Sequence, residues 1–350
     1  MTDRALRGAI IGLGNVAVNG HLPGWFARSD VRIVAATDAD AARRSEIRGA
    51  PNEVAWCASV PDLLRRGDLD FVDIATPPAS HAELIRLALE SGVHVLCEKP
   101  LVTRADDVDG IADLAHRRRL AVHTVHNWRN APGVRAITAA LSGGAIGLVR
   151  RIEWATLRTR PAVTVATDGA TNWRTNAEIA GGGILVDHGW HALYCVTGWM
   201  GTAPAYVSGC LENRGAAPDQ IEDTATVLLG AQDVEAEIFL TWAADRRQNR
   251  IVITGRESRL TLDGATLAIE RTGRTPETRS YAPGLEEGSH HPDWFAGVVE
   301  DFLAAIRADN PSKAANLDEA SLCARLIEGA KRSAAAGGAP QSLPSGARRP

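Results

Sequence analysis

Short apolar runs recur through the first third of the chain, separated by stretches of helical pattern. Ala9-Ile10-Ile11, "VRIVAATD" (31–38), "DFVDIAT" (70–76), "VHVLCE" (93–98) and "LAVHTVH" (120–126) read as buried strands. Between the third and fourth, "HAELIRLALESG" sets Leu84, Leu87 and Ala88 on one helical face and ends in glycine, the pattern of an amphipathic helix and its C-cap. Strands alternating with helices predict a parallel α/β sheet. After Arg150 the texture changes. "RRIEWATLR", "ATVLLG", "VEAEIFLTWA", "RIVITG" and "SRLTLDG" follow with little helix between them, which predicts a mostly antiparallel sheet in an α+β second domain. "GGGILVDHGWHALYCVTGWMG" reads as one helix ahead of that sheet. "DWFAGVVEDFLAAIRADNP" and "LDEASLCARLIEGAKRSAAAG" read as two amphipathic helices near the end. In "VEAEIFLTW", Val234, Ala236, Ile238 and Leu240 alternate with Glu235, Glu237 and Phe239. One face should pack on helices and the other needs a partner, so a homodimer or homotetramer is expected.

Composition narrows the picture. A chain of 350 residues is long enough for two cores. Its 38 basic and 42 acidic residues give a net charge of −4, which argues against a nucleic-acid footprint or an electrostatic membrane anchor. The basic cluster Arg117-Arg118-Arg119 falls at an expected helix end, where cations favour the dipole. Five scattered cysteines (Cys57, Cys97, Cys195, Cys210, Cys323) show no Cys-x-x-Cys spacing, so neither a metal site nor a disulfide framework is expected, and a reducing cytoplasm fits best. "GAIIGLG" is too short and glycine-broken for a membrane span, and it lacks a signal cleavage site.

Candidate chemistry gathers where strands end. "IIGLGNVA" places Gly12-x-Gly14-x-x-Ala17 directly after the first strand. The first glycine permits a tight turn, the second lets backbone amides approach a pyrophosphate, and the small third residue lets helix and strand pack closely. A plain structural turn would also use such glycines. Asp38 closes the second strand, about where a carboxylate accepts hydrogen bonds from an adenosine ribose. It would repel a 2′-phosphate, so NAD is favoured over NADP, with Arg43 and Arg44 softening the preference; Asp38 also reads as a helix N-cap. Thr76-Pro77-Pro78 ends the third strand at the ligand-binding edge of such sheets, or forms an ordinary turn. In "VLCEKPLV" (95–102), Glu98-Lys99-Pro100 interrupts an apolar run. Lys99 there can polarise a substrate oxygen at the nicotinamide, with Glu98 holding or balancing its charge. The bland alternative is an exposed ion pair worth ~0–1 kcal/mol.

These segments occur together with "HLPGW", "ATPPASHAEL", "HNWRNAP", "GGGILVDHGWHAL", "EDTATVLL" and "ITGRESRLTLDG". In this order they resemble the family of glucose-fructose oxidoreductases and inositol dehydrogenases over nearly the whole chain. The Glu-Lys-Pro segment followed by Gly-Gly-Gly and Asp-x-x-x-His is the most specific part. The resemblance implies an N-terminal Rossmann domain (1–126), an α+β domain with a large, open, mostly antiparallel sheet for substrate binding and oligomerisation (127–343), and a short fraying tail (344–350). It implies hydride transfer between NAD(P) and a hydroxyl or carbonyl of a sugar, inositol or related polyol.

Carried onto this sequence, the resemblance makes Lys99 the catalytic lysine, with a cis Lys99–Pro100 bond, and Asp187 and His191 its catalytic companions. The i, i+4 spacing of Asp187 and His191 would put both on one helix face. His191 would take the hydroxyl proton as general base, a task suited to an imidazole titrating near ~6.5; a lone helical histidine is otherwise a hydrogen-bonded core residue, which is the reading of His188. Cofactor contacts are implied for Gly12, Gly14, Asn15, Val16, Asp38, Thr76, Pro77, Pro78, His81, Glu98, Lys99, Asn127, Trp173 and Arg174. Substrate contacts are implied for Lys99, Arg129, Asp187 and His191, with a surface salt bridge the competing role for Arg129. One departure stands out. Many relatives have an acidic residue three positions after the catalytic histidine, whereas this chain has Tyr194, whose hydroxyl would supply a weaker, neutral orienting bond. Two other readings remain: transient oxidation that enables elimination or glycoside cleavage, and a redox-inactive dinucleotide-binding regulator, which would have no use for Lys99, Asp187 and His191. Loops 158–176 and 280–292, which would select the substrate, carry no diagnostic pattern.

Overall fold

The apolar runs of the first third form a six-stranded sheet in a computed structural model that describes residues 4–343 apart from 49, 52, 164–171, 219, 272, 289 and 314. The expected tail, 344–350, lies outside the described residues, as does 164–171 of the first substrate loop. The strands are β1 (Leu6–Ile11), β2 (Val31–Thr37), β3 (Ala55–Trp56), β4 (Phe71–Ile74), β5 (His94–Cys97) and β6 (Val122–Thr124), in the order β3-β2-β1-β4-β5-β6. Every neighbouring pair is parallel. The order reverses between β1 and β4, and the crevice outside the carboxyl ends at such a switch point is where ligands bind in open α/β sheets.

The helix His81–Glu90 ends as its glycine predicts. Gly92 adopts φ +80°, its N–H donates to Leu89 O, and Val93 N–H donates to Ala88 O, the paired bonds of a Schellman cap. Its fully buried stripe is Ile85, Ala88 and Leu89, one residue round from the expected face, with Leu84 and Leu87 half-buried. The helix Pro292–Arg307 belongs to this first unit, which comprises residues 1–127 and 289–317. Its Phe295, Val298, Val299 and Phe302 are buried in one core with Trp25 and Phe71, the Phe71 and Phe302 rings 5.6 Å apart. Amphipathic periodicity reveals such a helix but not which sheet takes its apolar face.

The second unit, residues 128–288 and 318–350, is built on nine strands. They are β7 (Val149–Leu157), β8 (Tyr206–Glu212), β9 (Thr224–Ala231), β10 (Val234–Thr241), β11 (Gln248–Gly255), β12 (Ser258–Asp263), β13 (Thr266–Arg271), β14 (Glu277–Ser280) and β15 (Gln341–Ser342). Their order is β14-β13-β12-β11-β7-β10-β9-β8-β15, antiparallel throughout except for the β7–β10 pair. In β10 the alternation comes out as expected: Ala236, Ile238 and Leu240 are buried, while Glu235 is exposed and Glu237 and Phe239 are half-buried. Arg151 lies 2.9 Å from Glu237 and 3.6 Å from Glu153 on the outer face. Among the described residues no helix is long and apolar enough to cross a membrane.

Candidate active site

In the first unit the glycine motif shapes the carboxyl edge. Gly12 has φ +92°, and a Cβ there would lie 2.8 Å from Ala75 O, so only glycine lets β1 turn this close to the end of β4. Gly12 N–H donates to Thr37 O at 2.9 Å. Gly14 differs: a Cβ would meet nothing within 4 Å, so its backbone is open to a ligand. The chain is helical from Asn15, but through Ala17–His21 as a π-turn before the short α-helix Leu22–Phe26, where a regular helix was expected. Pro23 has no N–H to return to the preceding turn, and the wider turn, with Leu22 N–H bonded to Ala17 O, accommodates that loss.

Asp38 pins the glycine loop. Its Oδ2 accepts from Leu13 N–H at 2.6 Å and its Oδ1 from Asp40 N–H at 2.8 Å. The helix-capping residue is Asp40, which accepts from Ala42 N–H at 2.9 Å, so the cap reading of Asp38 is corrected by two positions. Each Asp38 oxygen keeps a lone pair with which to accept from a ribose hydroxyl. Thr76, Pro77 and Pro78 lead into a 3-10 turn, with Thr76 Oγ1 2.7 Å from Ser80 Oγ. His81 is fully buried, its ring nitrogens 2.8 Å from Thr76 O and 2.8 Å from Pro100 O, and so ties the end of β4 to the Glu-Lys-Pro segment.

The Lys99–Pro100 peptide is cis. Glu98 does not turn its carboxylate to the Lys99 ammonium as its main partner. Oε1 meets His21 Nε2 at 3.0 Å and Oε2 accepts from the Lys99 backbone N–H at 2.9 Å. Sequence proximity favoured the neighbouring charge; the fold supplies a buried histidine 77 residues away. Asn127, just beyond β6, has a buried Oδ1 with no hydrogen-bond partner among the described residues. An orphaned buried acceptor is costly unless a ligand donates to it. With the open backbone at Gly14 and the carboxylate of Asp38 on the same sheet edge, these residues fit a dinucleotide.

In the second unit the glycine run is held from several sides. Gly181 and Gly182 adopt φ +80° and +152°. Glu222 Oε1 accepts from Gly183 N–H at 2.8 Å and from Leu185 N–H at 3.3 Å, while Glu222 O accepts from Ile184 N–H at 3.1 Å. Lys331 donates to Gly181 O. A Cβ at Gly183 would fall 1.9 Å from Glu222 O. Gly183→Ala should therefore cost about 1–3 kcal/mol as the loop shifts to relieve backbone overlap. A chemical-denaturation midpoint equal to that of the unmodified protein would refute this tight packing.

Asp187 and His191 do not share one unbroken helix. The segment is a short helix, Ile184–Asp187, a break at His188, and a second helix, Gly189–Trp199. Gly189 sits where a Cβ would lie 3.0 Å from Leu185 and 3.1 Å from Leu240, so the second helix starts pressed against its surroundings. The Asp187 carboxylate lies 3.4 Å from His188 Nδ1, so His188, expected to be the bland histidine, is Asp187's near neighbour. His191 is buried, its ring stacked on Trp128 at 4.4 Å and 5°. Its Nδ1 lies 3.0 Å from Tyr194 Oη, which also accepts from Trp128 N–H at 2.9 Å. Burial pushes the Tyr194 hydroxyl well above its ordinary range, so a neutral phenol holds the imidazole.

Arg129 donates to Glu319 at 2.8 Å and lies over the Tyr194 ring at 5.7 Å. The ion pair is real but not superficial, because the Glu319 side chain is nearly buried. Arg174 stacks over Trp173 at 4.3 Å. Two residues of this second unit escaped the sequence reading. Trp128, whose stacking on His191 is signalled only by an aromatic inside "HNWRN", is one. Arg158, at the end of β7, is the other: buried, donating to Leu157 O and Asn249 Oδ1 at 2.8 Å each, and brought down to about 10 by burial and the nearby Arg247 against the opposing fields of Glu286 and Asp187.

Residues 6–126 match the family model "Oxidoreductase family, NAD-binding Rossmann fold", and residues 134–261 match the "GFO/IDH/MocA C-terminal domain". The chain is 34% identical over 187 residues to the dTDP-3,4-didehydro-2,6-dideoxy-alpha-D-glucose 3-reductase of Streptomyces violaceoruber, a match over 53% of this chain and 52% of that one, so it spans about half of that relative's length. It is 27% identical to the reductase of the same name from Streptomyces antibioticus, over 88% of this chain and 90% of that one. GenD2 from gentamicin A biosynthesis, solved in complex with NAD, shares the fold with a TM-score of 0.79 at 24% identity, over 98% of this chain and 97% of that one. The chain belongs to the GFO/IDH/MocA family of NAD-binding oxidoreductases.

Proposed function

We propose that this enzyme transfers hydride between NAD and a secondary alcohol or carbonyl of a sugar, inositol or sugar derivative. The observation that carries the reading is Lys99, set just beyond the end of β5 at the ligand edge of the parallel sheet. Relatives named as reductases of a dTDP-linked keto-sugar, a D-apiose dehydrogenase and a levoglucosan dehydrogenase support the substrate class. Bound NAD supplies the hydride acceptor for alcohol oxidation. Lys99 stabilises negative charge on the reacting oxygen, His191 accepts the hydroxyl proton, and Asp187 tunes the pair. Tyr194 orients the His191 ring by its neutral hydrogen bond. Gly12, Gly14, Asn15, Val16, Thr76, Pro77, Pro78, Asn127, Trp173 and Arg174 hold the cofactor, and Arg129, paired with Glu319, borders the substrate. A homodimer or homotetramer through the outer face of the second sheet, where Leu228 is 44% exposed, completes the proposal.

NAD should bind more tightly than NADP by on the order of tenfold or more, because a 2′-phosphate near Asp38 meets like charge worth ~1 kcal/mol per pair even in water. Asp38→Ser should narrow the gap. Dissociation constants favouring NADP for the unmodified protein would contradict the assignment.

A further inference from the structure

An imidazole, two carboxylates and an indole are buried together where β4 and β5 end. Asp73 is 0%, His21 2% and Glu98 9% exposed. His21 Nδ1 lies 3.0 and 3.1 Å from the two Asp73 oxygens, and its Nε2 lies 3.0 Å from Glu98 Oε1. Trp25 Nε1–H donates to Asp73 Oδ2 at 2.7 Å, and Glu98 Oε2 accepts from Lys99 N–H at 2.9 Å. Phe295 covers the imidazole, ring on ring, at 4.0 Å and 9°.

A neutral imidazole has one N–H, so its second nitrogen would turn a lone pair toward a carboxylate lone pair. With a carboxylate on each nitrogen, only the doubly protonated ring satisfies both contacts. Leaving either buried carboxylate unmatched would be costly. The assembly then holds two negative charges and one positive, and the surplus negative charge sits beside Lys99, whose field acts on Glu98.

We propose that His21 is an imidazolium at neutral pH and a positioning residue: it fixes Glu98 as an anion, and Glu98 fixes the backbone from which the Lys99 side chain extends. The inference rests on Lys99 being the catalytic lysine. The groups around His21 are Asp73 from β4, Glu98 beyond β5, the buried Cys97 thiol, which feels the charge of both carboxylates, and the uncharged rings of Trp25 and Phe295. Burial by itself would lower the histidine, but Asp73 and Glu98 raise it to about 10, and His21 keeps Glu98 below the usual range despite its burial. Since the folded value lies above the unfolded ~6.5, the stability this ring contributes is whole below that pH and is lost as pH climbs through about 10.

The direct test is the ring-nitrogen NMR spectrum of the full-length protein labelled at histidine, compared with that of His21→Gln. Both His21 nitrogens should remain protonated from about pH 6 to about pH 9. A ring that titrates between about pH 6 and pH 8 would overturn the charge assignment, whether or not Lys99 is catalytic. In kinetics, His21→Gln should lower turnover near neutrality on the order of 10–100-fold, since a small displacement at the reacting centre has that effect. It should also add a limb to the kcat/KM profile, rising with pH as Glu98, without the imidazolium, ionises. That limb should vanish in His21→Gln/Glu98→Gln. A His21→Gln enzyme with unchanged turnover and pH profile overturns the positioning role, as does Lys99→Met retaining turnover while His21 stays doubly protonated.

Discussion

Lys99→Met is expected to lower kcat on the order of 10²–10⁴ while leaving the NAD dissociation constant within roughly threefold. The argument is one of location. Its backbone N–H is committed to Glu98, and the side chain springs from the carboxyl end of β5, while the glycine turn proposed for the phosphates lies at the end of β1. In the proposed reaction an ammonium so placed stabilises charge that develops on the substrate oxygen, and methionine keeps the length of the side chain without that charge. Single-turnover rates with a binding titration separate the two quantities. Near-normal turnover would make the Glu-Lys-Pro segment structural.

His191→Asn should lose a comparable factor, on the order of 10²–10⁴, and with it the pH dependence of alcohol oxidation. For the unmodified enzyme kcat/KM should rise through a single limb near neutrality as the base loses its proton. Tyr194→Phe should shift that limb without abolishing it, because Tyr194 orients the ring but does not carry the proton. The structure adds an expectation of its own. Tyr194 Oη also accepts from Trp128 N–H, so the phenylalanine variant removes a hydrogen bond from each of two buried groups and should lose about 1–3 kcal/mol of stability. If His191→Asn keeps both limb and rate, the base is elsewhere, and Lys99 becomes the first candidate.

Much of this was legible in the sequence, for identifiable reasons. The parallel sheet, the Schellman glycine at 92 and the alternation in β10 are local patterns of period and cap, carried by adjacent residues. The glycine motif was legible because its φ and spacing requirements are local as well. What stayed hidden depends on residues far apart. Glu98 finds His21 and His21 finds Asp73 across 77 and 52 positions, and no spacing rule connects them. The helix Pro292–Arg307 displays an apolar stripe, but only packing shows that Trp25 and Phe71 receive it. The break at His188 was masked by a sequence that reads as continuous helix, since Gly189 costs little where a helix begins anew. Tyr194 was visible as a departure, whereas Trp128 shows only as an aromatic inside "HNWRN", which does not say that it stacks on His191.

The most direct test of the central claim is the reduced-nicotinamide absorbance after the enzyme and its Lys99→Met variant are each given NAD and a panel of sugars, cyclitols and nucleotide-linked sugars, with the products read by mass spectrometry. The account predicts that absorbance grows with at least one member of the panel, in step with a product lighter by two hydrogens, and that Lys99→Met slows both on the order of 10²-fold or more. A product that accumulates with no net gain in absorbance, or oxidation undiminished in Lys99→Met, would contradict it.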